Sequence, residues 1–176
     1  MGEALRFEIF PQFSLPMDLV LAFMGVFARF EYALKASGFS RGDENRVDPD
    51  WDKFADSIDG EFEGAGDEKF VGAVDYLLTE PPRKQVMVGE GIAWQASVLD
   101  RNAKKARQVL LMVRRVRNNL FHGAKMWSPE RGGDDRDVRL VTAALVVLLA
   151  CAKLNDTVAR KIEYLDPRIL EVVGRY

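Results

Sequence analysis

The chain is poor in the residues that chemistry usually draws on. Its 176 residues include one histidine, His122, and one cysteine, Cys151. A lone cysteine excludes a disulfide framework within the chain and points to a reducing compartment, so a cytoplasmic protein is expected. Cys151 lies in the apolar run Leu148-Leu149-Ala150-Cys151-Ala152 and reads as a buried core thiol, not a nucleophile. Long apolar runs are missing too. The longest, 140–154, falls short of the roughly 20 residues a membrane span needs, and Lys153 interrupts its end. The opening MGEALRFEIF has no basic segment followed by an apolar one, which argues against a signal peptide. No membrane association is expected.

Charge of one sign is absent as well. Lys and Arg number 25 against 27 Asp and Glu, for a net charge of -2. That balance argues against a broad nucleic-acid-coating surface and leaves a local basic groove open. There is no second histidine, no cysteine pair and no two-histidine helical spacing, so neither a metal site nor a cofactor is expected. Asp134, Asp135 and Asp137 are better read as helix-capping acids than as cation ligands. Gly64-Ala65-Gly66 lacks the preceding strand and following lysine of a phosphate loop.

What is present is helical periodicity. With hydrophobic content of 48% and charged content of 30%, the composition is that of an ordinary globular domain. After an irregular lead-in over 1–13, a helix is expected from Ser14 as N-cap, with Pro16 just inside, to about Ser37, stopping at Gly38. Its apolar residues Leu19, Phe23, Val26, Phe27, Phe30 and Leu34 recur at helical spacing. A polar loop is expected over 41–48. Asp48-Pro49 then opens a short helix over 50–58, and 60–66 is a glycine- and acid-rich loop. A helix starting at Asp67 ends at Pro81-Pro82. In 83–95, Val86-Met87-Val88 suits extended chain and Gly89-Glu90-Gly91 a turn. The clearest helix covers 100–121, with Ala106, Val109, Leu110, Val113, Val116 and Leu120 in one stripe. An apolar helix over 138–155 follows a loop at 132–137, and short helices are expected over 156–163 and 168–173. The fold class is all-α: a helical bundle of four to six helices with a loop-rich middle, in one domain spanning 1–176.

Chemistry concentrates at the end of the helix over 100–121, in Arg117-Asn118-Asn119-Leu120-Phe121-His122-Gly123. His122 is the side chain whose unperturbed pKa lies near neutrality, so general acid or base work falls to it most simply. Arg117, close to Val113 and Leu110 on the helical wheel, sits at the edge of the apolar stripe. A guanidinium placed there needs a partner or a cleft. Arg114 and Arg115 point further round, towards water. On an ideal helix Arg117 and His122 stand about 140° apart. Gly123 is a natural C′ residue that lets the last turn unwind and His122 swing towards Arg117; alternatively, the two meet across a symmetric interface. A plainer reading makes His122 a helix C-cap and Arg117 the ion-pair partner of an acid such as Glu31.

An Arg-Asn-x-x-x-His-Gly run ending a long amphipathic helix, with a loop and a strongly apolar helix behind it, resembles the HEPN (higher-eukaryote and prokaryote nucleotide-binding) superfamily. Arg117, Asn118 and His122 match that family's Arg-x4–6-His signature one for one over some ten residues. Phe27, Phe30, Glu31 and Leu34 of the first helix share the family's flavour. The resemblance implies a HEPN-like fold and a metal-independent endoribonuclease, in a toxin or phage-defence effector, with two Arg/His motifs meeting in the cleft of a homodimer. It implies RNA or nucleotide as ligand and an antitoxin protein as a further partner. In that scheme His122 handles protons or orients the 2′-hydroxyl, Arg117 binds the phosphate, and Asn118 positions one or the other. Arg114, Arg115 and Lys125, with Lys104, Lys105 and Arg107, are candidates to line the RNA approach. Trp127 is the tryptophan nearest the motif and the best candidate to stack on a base. Two other readings stand beside this one: a non-catalytic HEPN-like dimeric module that binds nucleotide, RNA or protein, and a helical interaction protein in which the motif is accidental.

Overall fold

The computed structural model describes residues 15–100, 102–121, 135–162 and 165–176. The 1–13 lead-in, Ser14, His122, Gly123, Lys125, Trp127 and Asp134 lie outside the described residues.

Seven helices and two short antiparallel hairpins make up the described chain. α1 (Met17–Ala36) begins two residues later than its pattern suggests, with Pro16 at the N-cap and no side-chain cap bond. It closes as expected. Gly38 adopts a φ of +81°, and the Phe39 amide reaches back to the Leu34 carbonyl at 3.0 Å, satisfying an end-of-helix acceptor. The segment expected as a loop folds instead into a hairpin of β1 (Ser40–Gly42) and β2 (Val47–Pro49). Its turn is local chemistry: Asp43 N–H donates to the Arg46 carbonyl at 2.9 Å, and Asn45 N–H donates to Asp43 Oδ1 at 2.8 Å. Gly42, at φ +140°, belongs there because a Cβ would run into the Arg46 carbonyl.

Pro49 therefore ends a strand and does not start a helix. The cap of α2 (Trp51–Phe62) is Asp50, whose Oδ1 accepts from the Lys53 amide at 3.0 Å. α2 also continues through Gly60, because Ile58 and Phe62 both bury into the core and outweigh the glycine's helix penalty. α3 (Glu68–Thr79) starts where expected, with Asp67 Oδ1 accepting from the Phe70 amide at 3.0 Å. The extended residues near Val86 pair as a second hairpin, β3 (Lys84–Val88) with β4 (Gly91–Gln95). α4 (Lys105–Phe121) begins later than the pattern at Asp100, whose carboxylate and carbonyl are taken up by a turn with Asn102 and Ala103.

α5 (Asp135–Lys153) begins before 138, with Asp135 and Asp137 in its first turn, where helix-dipole electrostatics favour acids. α6 (Asp156–Ile162) and α7 (Arg168–Arg175) follow. α5 is the centre of the packing, touching α1, α3, α4, α6 and α7, while α2 lies on α4. Its apolar faces explain that position: Leu140, Val141, Ala143, Ala144, Leu145, Val147, Leu148, Cys151 and Ala152 are all buried. Burial pushes the Cys151 thiol far above its ordinary pKa, which suits a packing residue. Among the described residues, no helix is long and apolar enough to cross a membrane.

Candidate functional site

α1, α2 and α4 converge on an aromatic cluster. The Trp51 ring stacks on Phe30 at 5.3 Å between centroids and tilts against Phe27 at 5.4 Å. Phe54 meets Phe30 edge-on. Phe27, Phe30, Trp51 and Phe54 are buried, each side chain removing about 1.5–3 kcal/mol worth of apolar surface from water. α4 presents two arginines to the rim of this cluster. Arg114 lies 6.0 Å from the Trp51 ring centroid. One turn on, Arg117 sits 5.5 Å from the Phe27 ring and 4.6 Å from the ring of Phe121, four residues ahead on its own helix.

Arg117 is half-buried, as its place at the edge of the apolar stripe implies. Its Nη1 donates to Asn118 Oδ1 at 3.1 Å. Its Nε is buried and has no hydrogen-bond partner. Among the described residues Arg117 forms no ion pair, with Glu31 or any other acid. The guanidinium is thus held by rings and one amide oxygen, with no carboxylate paired to it among the described residues. Such a group suits a planar or phosphate-like anion.

The structure brings together Arg117, Asn118 and Arg114 from the sequence candidates. Arg114 does not point freely into water, because its long side chain lies back across Trp51. Arg115, about 160° round the helix from Arg117, is not part of this face. It is half-buried, its Nη1 directed at Met112 Sδ at 3.7 Å, and desolvation lowers its pKa. Lys104 and Arg107 are engaged elsewhere: Lys104 pairs with Asp56 and Asp59, and Arg107 with Asp56, which tie α4 to α2. Those pairs hold the Asp56 carboxyl below its usual range, chiefly through the Arg107 hydrogen bond. His122 and Lys125, on which the motif also depends, lie outside the described residues.

Three contributors escape sequence reasoning. Phe27 and Trp51 read as core, which they are, but they also carry the two arginines. Asn119 looks like a bystander in the motif, yet its Nδ2 donates to the Arg83 carbonyl at 2.7 Å and ties the base of the β3–β4 hairpin to α4. Only the Arg117–Phe121 contact carries a readable signal, the i, i+4 spacing. Comparison with family models, curated proteins and solved structures finds no match to the chain.

Proposed function

We propose that the protein is a metal-independent endoribonuclease of HEPN type, in a toxin or phage-defence setting, acting as a homodimer. The observation that carries this reading is the Arg117 guanidinium, held between Phe27 and Phe121 and beside Asn118 with no acid partner among the described residues. Arg117 stands five residues before the chain's one histidine.

The chemistry follows from those groups. The 2′-hydroxyl oxygen of the substrate attacks the neighbouring phosphorus and loses its proton to a base. The P–O5′ bond breaks, and an acid protonates the departing oxygen. The products are a 2′,3′-cyclic phosphate and a 5′-hydroxyl. One chain supplies one imidazole, so a two-fold pair supplies both base and acid. Arg117 neutralises the charge that grows on the non-bridging phosphate oxygens. Asn118 fixes the guanidinium plane through its amide oxygen and leaves its NH2 to the substrate. Arg114, on its aromatic support, receives a neighbouring phosphate.

Cleavage of a mixed-sequence RNA in the presence of EDTA tests this. Wild type cleaves, and His122→Ala does not. Activity that disappears with EDTA, or persists undiminished in His122→Ala, overturns the proposal. RNA binding without cleavage by a folded dimer supports the non-catalytic module instead.

A further inference from the structure

α3 and α5 pack side by side, with α7 against α5. Between them runs a groove of two hollows, about 380 Å³ and about 340 Å³, which meet at Lys69, Val146 and Val173. The α5 wall is a single helical stripe from Arg139 through Thr142, Val146 and Leu149 to Lys153. At 1.5 Å per residue it is about 21 Å long.

The hollows differ in chemistry. The larger is walled by Phe70, Leu149, Leu154 and Leu170 and is apolar apart from its rim. The smaller gathers Thr142, Tyr76 and Arg139. Arg139 lies 4.2 Å over the Tyr76 ring, and neither it, Lys69 nor Lys153 forms an ion pair among the described residues. Among the described residues the one acidic side chain in the lining, Asp67, has its carboxylate engaged in capping α3. An apolar trough thus leads to a mouth at which Arg139 and Lys69 carry no ion pair among the described residues, in hollows of small-molecule size.

We propose that this groove binds a single-chain acyl anion. The hydrocarbon tail lies in the larger hollow, and a carboxylate or phosphate head meets Arg139 and Lys69. This site is separate from the Arg117 face and does not depend on the nuclease reading.

Calorimetric titration of the full chain with dodecanoate, dodecyl phosphate and dodecyltrimethylammonium, each below its micellar concentration, tests the proposal. Both anions bind one per chain and raise Tm, and the cation does not. Reversing the mouth with Lys69→Glu and Arg139→Glu together weakens anion binding by about tenfold or more. Gly72 lines the smaller hollow, and a Cβ added there meets nothing within 4 Å. Gly72→Phe therefore blocks the groove in a chain that folds with an undiminished Tm, and abolishes binding. Equal affinity for the cation, unaltered binding in Gly72→Phe or in the charge-reversed variant, or binding to anionic vesicles alone overturns the proposal.

Discussion

Arg117 owes its position to rings and one amide, and this separates its structural from its chemical weight. Truncation in Arg117→Ala removes two cation–π contacts at a half-exposed site, a loss of about 0.5–2 kcal/mol. The same change removes the proposed phosphate ligand and abolishes RNA cleavage. Arg117→Lys keeps the charge but not the planar fork, so stability recovers while cleavage stays low. Denaturant unfolding and the cleavage assay, run on both variants, read the two quantities separately. A second residue-scale prediction concerns acid. The Arg168 side chain and amide hydrogen-bond the Asp166 carboxylate and hold its pKa down to about 2 from 3.8. Because the folded value is depressed, the stabilisation is complete above the unfolded value and is lost as pH falls from 3.8 through about 2. Carboxyl NMR titration finds the low midpoint in wild type and a higher one in Arg168→Ala, which loses the side-chain bonds and keeps the amide bond. The pair is fully exposed, so its effect is a local titration, not a determinant of the fold.

At the scale of elements, the helices that carry their own start signals are those that stand near where the pattern puts them. Asp67 caps α3 through the Phe70 amide, and Asp67→Ala lowers stability by about 1 kcal/mol in thermal or urea unfolding. β3–β4 lies at the other extreme: Met87, Val88 and Ile92 are exposed, and the hairpin is joined to α4 through the Asn119–Arg83 bond. Its amides exchange with solvent faster than those of α5, and Asn119→Ala accelerates them further. That contrast also explains what the sequence could and could not disclose. A capped amphipathic helix is written locally, in Asp67 and the apolar positions that follow it. The β1–β2 hairpin is not, since three-residue strands hold through the turn around Gly42 and Asp43 and leave no alternating pattern. Asp48-Pro49 misleads for the same reason: two acids, Asp48 and Asp50, flank the proline, and only the fold decides which one caps. The candidate site divides likewise. The edge position of Arg117 is legible from its own helix, whereas Phe27 and Trp51 come from α1 and α2, and one helix's sequence does not state which others it will meet.

At the scale of the whole molecule, α5 holds the rest together. Leu148 is fully buried on it, and Leu148→Ala costs about 2–5 kcal/mol while unfolding remains a single transition in calorimetry and circular dichroism. α1 and α4, which meet at Arg117, both pack on α5. The order of synthesis gives this arrangement a further meaning. Everything up to Asp135, the Arg117–His122 motif included, leaves the ribosome before the helix that unites it exists. A nascent chain therefore carries Arg117 without its packed surroundings until α5 has emerged, and a product truncated or stalled before Asp135 is left with the arginine but without the core that places it.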